Sequence, residues 1–245
     1  MTRFERENPN ELWQMDFKGY FNLLNKRRCY TLTILDDCSR FSLGIKALGN
    51  ETGLPVISYL THIFEEFGMP EQMNVDNGNP WGNSGGAKHT YVTVWLLRLG
   101  IQVTHSRPRH PQTNGKIERF HRTLKKEALK KDKFQDLFEA QIRLDNWRKI
   151  YNDIRPHQAL QMKTPSACYI KSKIIFPKEL PKIEYDAGQE LRKVRGNGYI
   201  TFGNHSFCIG ESFKNFYVCI KPSTIEGNFH VYFGKNIINT ISFNK

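Results

Sequence analysis

ELWQMDFKGYF, residues 11–21, is the stretch on which the fold turns. Leu12, Trp13, Met15 and Phe17 form a β-prone apolar run, and Asp16 stands inside it. An unpaired carboxylate buried in such a strand is costly, so its presence there implies a partner or a metal. Two more segments of Leu, Ile, Phe, Tyr and Thr follow at 29–35 and 41–48, set off by turn-prone Asn25-Lys26 and Asp36-Asp37. Together the three predict an antiparallel meander.

Beyond the meander, Ile57, Leu60, Ile63, Phe64 and Phe67 recur at the helical period until Gly68-Met69-Pro70 ends the pattern. A fourth strand at 72–75 runs into Asp76-Asn77-Gly78, a turn that leaves a carboxylate at the strand's end, where the strand can pair beside the first. A helix at 91–99 and a strand at 101–105 come next. A long polar helix from Gln112 to Lys131 and another from Phe134 to Asn152 complete a mixed α/β layer. In the first of these Ile117, Phe120, Leu124 and Ala128 mark the buried stripe, and Glu118 flanks it, able to point back at the sheet.

From Pro156 the texture changes to Pro- and Lys-rich chain, and after Leu191 five short strands are predicted, at 198–202, 206–209, 216–220, 229–233 and 237–241. The expected organisation is a lead-in (1–10), an α/β core (11–155), a linker (156–190) and a small barrel-like all-β domain (191–245). Most of the aromatics in that last region, Phe202, Phe207, Phe213, Phe216, Phe229 and Phe233 among them, read as core rather than as stacking platforms for bases.

The 245 residues carry a formal charge of +12, with a pI near 9.5, and 39% of them are hydrophobic. Such a chain can bury a core, and its cationic excess needs anions, a phosphate backbone or an anionic membrane surface. With no apolar run of about 18 residues and a charged N-terminus, membrane and secretion readings fall behind nucleic acid. The five cysteines are scattered without a Cys-x-x-Cys pair, which excludes zinc-knuckle and dithiol chemistry and fits reduced thiols in the cytoplasm. Nothing suggests a small-molecule substrate.

Cleaving a phosphodiester without a covalent intermediate calls for an in-line water or hydroxyl and charge neutralisation at the leaving oxygen, which two divalent ions held by carboxylates provide. Asp16, Asp76 and Glu118 are the acids whose contexts converge. Singly, a strand-end Asp before Asn-Gly is a turn former and a helix Glu is a solvated one; jointly they point to a metal site. Asp36 and Asp37 read instead as turn caps paired with Arg40. Between Arg107 and Lys131, nine Lys or Arg stand against two Glu. Either this is a solvated polar face or it lies along DNA, with Arg119, Arg122 and Lys126 on one helix face. Arg107, Arg109, Lys116 and Lys125 extend the set, and His110, Gln112 and Asn114 precede the glutamate where backbone N–H groups favour phosphate. His121 could hydrogen-bond within the cleft.

ELWQMDFKG around Asp16, LDDCSRF at 35–41, VDNG at 75–78, SRPRHPQTNGKIERFHRTLKKE at 106–127, YNDIRPHQAL at 151–160 and TPSACY at 164–169 together resemble the retroviral-integrase-type core of bacterial insertion-sequence transposases. The resemblance implies a ribonuclease-H-like fold, an Asp, Asp, Glu triad at Asp16, Asp76 and Glu118, two Mg2+ or Mn2+ ions, and strand transfer by direct hydroxyl attack. It implies element ends and target DNA as partners, a homodimer or higher assembly, and a nucleoid setting. A metal-dependent nuclease of the same fold that never joins strands, and a silent DNA-binding or assembly module, stay open beside it. Two departures accompany it. The spacing from Asp76 to Glu118 is lengthened by NPWGNSGGAKHTY at 79–91, and only a short charged segment precedes the core, where such transposases carry helix-turn-helix modules. A truncated copy or one part of a split system is the expectation.

Overall fold

The structure, a computed structural model, describes residues 6–82, 89–105, 115–129 and 133–243. Five strands, β1 (Leu12–Asn22), β2 (Arg28–Asp36), β3 (Ser42–Leu48), β4 (Gln72–Val75) and β5 (Gln102–His105), form one sheet in the order β3-β2-β1-β4-β5. The meander is antiparallel, as the sequence predicts, and β4 lies parallel to β1. Parallel pairing requires a crossover, which is supplied by helix α1 (Gly53–Phe67). It ends at Gly68, whose φ of +75°, with a Cβ there lying only 2.7 Å from the Ser172 carbonyl oxygen, would reject a side chain.

The sheet is buried on both faces. On one, Trp13 meets Phe64 of α1 with ring centres 5.9 Å apart. The other carries helices α3 (Gly115–Leu124) and α4 (Leu137–Lys149), continued by π-helical turns at Lys125–Leu129 and Ile150–Ile154. There Cys29, Leu35, Ile45, Phe120, Leu124, Phe134, Leu144, Trp147 and Tyr151 share a core. Each large apolar side chain buried contributes roughly 1.5–3 kcal/mol, enough in sum to fix α3 on the sheet. The predicted stripe Ile117, Phe120, Leu124 and Ala128 is the buried face. Helix α4 begins at Leu137 rather than at Phe134, because the Asp136 carboxylate caps it, accepting the Phe138 and Glu139 N–H groups.

The chain divides into two compact units, 1–80 with 103–176, and 81–102 with 177–245. In the second, helix α2 (Tyr91–Arg98) groups with all-β chain: the Arg98 guanidinium lies 5.3 Å from the Phe216 ring centre, and His89 packs against Phe213. Strands β6 (Glu190–Lys193), β9 (Tyr217–Pro222), β10 (Asn228–Phe233) and β11 (Asn236–Ser242) form a sheet in the order β11-β10-β9-β6, beside a hairpin of β7 (Tyr199–Phe202) and β8 (His205–Cys208). Strand β6 is additional to the five predicted, since its Glu-Leu-Arg-Lys lacks apolar alternation and forms by pairing with β9. Phe213 and Phe233 are fully buried, whereas Tyr199 and Tyr217 are exposed. No described helix is long and apolar enough to cross a membrane.

Candidate active site

Register decides where the first two acids meet. Leu12, Trp13 and Gln14 of β1 pair with Gln72, Met73 and Asn74 of β4, and two residues further along both chains come Asp16 and Asp76. Just past Asp16 the β1–β2 ladder slips between Phe17 and Tyr20, where Gly19 takes φ +86°. Such a bulge bends a strand beside a site. Asp76 folds back on the turn that follows it, Oδ1 accepting the Gly78 N–H at 3.0 Å, and its backbone carbonyl accepts a hydrogen bond from His105 Nδ1–H at 2.9 Å. A Cβ on Gly78 would sit 3.1 Å from Asp76 Oδ2, so glycine leaves the carboxylate room.

Glu118 stands in the first turn of α3, exposed beside the buried Ile117. Asp16 senses the other two acids. Burial first, then the charge of Asp76 and, more weakly, that of Glu118 push the Asp16 carboxyl up to about 7. Burial also raises Asp76, against the Gly78 N–H and His105, which favour its charged form. Among the described residues no group of three or more His, Cys, Asp or Glu side chains is drawn tightly enough to enclose a metal.

His121, one helical turn beyond Glu118, is buried and driven down to about 3 by that burial and by Lys18. It is therefore neutral, and its Nδ1 at 3.8 Å from Asp16 Oδ2 does not form an ion pair. Thr33, opposite Asp16 on β2, donates its hydroxyl proton to the Asp16 carbonyl at 3.0 Å and lies 2.7 Å from His121 Nε2. With that proton committed, His121 donates from Nε2 and turns the Nδ1 lone pair toward Asp16.

Asp36 is a turn cap, as the sequence suggests: it accepts from the Ser39 N–H and hydroxyl and from the Asn10 N–H, and burial raises its carboxyl. Asp37 departs from the expected pairing with Arg40. Its ion-pair partner is Lys116 of α3, Nζ to Oδ2 2.5 Å, with the two side chains 19% and 2% exposed. Lys116, assigned by sequence to phosphate, is thus engaged inside the fold.

Arg119, Arg122, Lys125 and Lys126 are exposed along α3 and its π turn. Arg107, Arg109, His110, Gln112 and Asn114 lie outside the described residues. Sequence reasoning missed Gln14, Thr33, Lys18 and Glu51, the last raised by burial and then by the Asp76 charge. Only Gln14, two residues before Asp16 on an apolar strand, carried a signal that could have been followed.

Two family models, each described as an integrase core domain, match overlapping stretches, residues 6–111 and 99–165. An uncharacterized 39.2 kDa protein of insertion element IS476 from Xanthomonas euvesicatoria is 31% identical over 62% of this chain and 42% of its own length. One of 31.7 kDa from IS407 of Burkholderia multivorans is 29% identical over 64% and 54%. The chain therefore spans about half of these relatives. The Gag-Pro-Pol polyprotein of Mason-Pfizer monkey virus is 35% identical over 48% of this chain and 6% of its length. Among solved structures, the HTLV-2 integrase catalytic core domain in complex with magnesium superposes with a TM-score of 0.51 at 17% identity, covering 66% of this chain and 97% of that one. A chain of the simian T-cell lymphotropic virus intasome in complex with PP2A regulatory subunit B56 gamma gives 0.56 at 16%, covering 96% and 80%. At such identities the structures speak to the fold, which is ribonuclease-H-like in the first unit. Over residues 6–165 this chain belongs to the integrase core family, in the form that bacterial insertion elements carry.

Proposed function

We propose that the chain is a DNA transposase of the integrase type, which cuts phosphodiester bonds at element ends and transfers the freed 3'-hydroxyl into target DNA. Asp16, Asp76 and Glu118 are the catalytic carboxylates and would hold two Mg2+ or Mn2+ ions. One observation carries this: β1 and β4 run in parallel register toward Asp16 and Asp76, and Asp16 is raised to about 7 by burial and its acidic neighbours. A site that holds acids together against their repulsion suits a cation, and carboxylate oxygens suit a hard divalent one. When bound, the ions supply an activated water or hydroxyl and neutralise charge at the leaving oxygen.

The protein's own residues do the remainder. Asp16 and Asp76 are fixed by the sheet, and Glu118 approaches from the helix. The exposed Arg119, Arg122, Lys125 and Lys126 grip the phosphate backbone without reading bases, assisted by Arg107, Arg109, His110, Gln112 and Asn114. Two ends must be joined, so the working form is a homodimer or larger assembly on DNA in the bacterial nucleoid.

The test is nicking of supercoiled plasmid, and joining of a labelled 3'-hydroxyl oligonucleotide to it, with Mg2+ or Mn2+, for the chain and its Glu118→Gln variant. Both reactions in the first and neither in the second are expected. Nicking without joining would make the protein a nuclease of this fold, and binding without either reaction a silent assembly module.

A further inference from the structure

Gln14 is 2% exposed, and both ends of its amide are engaged. Oε1 accepts the Ile117 N–H at 3.2 Å, and Nε2 donates to Asp37 Oδ1 at 2.7 Å. The other carboxylate oxygen of Asp37 accepts from Lys116 Nζ at 2.5 Å, and Lys116 also donates to the Asp37 carbonyl at 3.2 Å. These contacts close a ring through three elements: β1 two residues before Asp16, the residue after β2, and α3 at the two residues before Glu118.

A buried ion pair adds little net stability, because desolvation offsets most of the attraction. What it adds here is direction. The apolar stripe of α3 determines which face meets the sheet, but apolar contacts tolerate sliding and rotation, whereas a hydrogen bond of this length does not. Ile117 N–H belongs to the first turn of the described helix, where amides lack intrahelical acceptors, so a side chain from β1 is its acceptor.

We infer that Gln14, Asp37 and Lys116 are positioning residues, a clamp that sets the first turn of α3 against β1 and so fixes the reach of the Glu118 carboxylate toward Asp16. Lys116 belongs to this clamp and not to the DNA-contacting surface. The inference rests on the reading of Glu118 as catalytic, yet the clamp has a readout that does not need activity.

The experiment uses the full chain with Gln14→Leu, Lys116→Met and Lys116→Arg, and an Asp37→Asn/Lys116→Met double variant that removes the buried charge pair together and so favours folding. Amide exchange at Ile117 is measured first. It should quicken about three- to tenfold in Gln14→Leu while the rest of β1 stays protected. Plasmid nicking per bound DNA should fall about ten- to a hundredfold in Gln14→Leu, Lys116→Met and the double variant, with more Mn2+ needed for half-maximal rate, and should be largely retained in Lys116→Arg. The salt dependence of duplex binding should be the same in Lys116→Met as in the parent. A slope shallower by about 0.9, with nicking per bound complex unchanged, would make Lys116 a phosphate contact and overturn the clamp. Unchanged Ile117 exchange in Gln14→Leu would also overturn it. A parent chain that does not nick, but whose Ile117 exchange responds to Gln14→Leu, would refute the catalytic reading and leave the clamp standing.

Discussion

Of the three carboxylates proposed for the site, two are held by the sheet and one by a helix, and the two sides are built differently. Asp16 and Asp76 follow from a main-chain ladder, and both are partly buried and raised. Glu118 is exposed on α3, whose first turn is tied to the sheet through the side chains of Gln14, Asp37 and Lys116. A ladder fixes geometry at the cost of desolvating the acids, whereas side chains keep the acid solvated and leave its geometry open to a single substitution. The sheet acids should therefore couple activity to stability and pH more strongly than Glu118 does.

The largest expected effect tests that contrast directly. Asp16→Asn and Glu118→Gln should each reduce nicking at least about a hundredfold, yet their melting curves should diverge. Asp16 titrates near 7 in the folded state and near 3.8 when unfolded, so the folded state binds the proton more tightly. Stability attached to it is present below pH 3.8 and is lost as pH rises through 7. At pH 8 Asp16→Asn removes that penalty and should melt about 2–4 °C higher per kcal/mol recovered; at pH 4 the gain should vanish. Glu118→Gln removes only the weaker of the two acidic charges acting on Asp16, so its gain at pH 8 should be smaller than that of Asp16→Asn. Equal shifts in the two variants would erase the distinction between the sides.

A smaller effect sharpens it. Mn2+ at pH 8 should raise the melting temperature of the parent, because a cation offsets the repulsion that raises Asp16, and should do so less at pH 5.5, where protons compete. In Asp16→Asn the rise should shrink at both. A metal-induced rise that Asp16→Asn leaves intact would move the ion away from the sheet side.

The same contrast governs what the sequence could reveal. The strands and helices were legible because period-two and period-3.6 burial are local signals: the stripe Ile117, Phe120, Leu124 and Ala128 located Glu118 on its flank before any coordinates. The parallel neighbourhood of Asp16 and Asp76 was a short inference from strand order. The helix side was not legible. Lys116 and Asp37 are 79 residues apart, and a lysine in a basic run reads as solvated until its partner is seen. Gln14, on an apolar strand two residues before Asp16, hints at burial, but that α3 is what covers it is not a local signal. Strand β6 carries no alternation to find, and the grouping of α2 with the C-terminal strands depends on Phe213 and Phe216 more than a hundred residues later.

The smallest expected effect concerns the contact between α3 and β2 beside Asp16, made by His121 and Thr33. Thr33→Val removes the hydroxyl that donates to the Asp16 carbonyl and accepts from His121, leaving a buried imidazole N–H without its acceptor. The cost should be about 1–3 kcal/mol, read as a lower melting temperature, with nicking reduced severalfold. Its pH behaviour is the diagnostic part. His121 titrates near 3 when folded and near 6.5 when unfolded, so the parent loses stability as pH falls below 6.5 toward 3. Across that range down to pH 5 the folded imidazole stays neutral, and Thr33 does not titrate. The difference between Thr33→Val and parent should therefore be constant from pH 8 to pH 5, in contrast to that between Asp16→Asn and parent. A penalty that grows as pH falls would mean that His121 takes a proton in the fold and pairs with Asp16, making the helix side as sensitive to pH as the sheet.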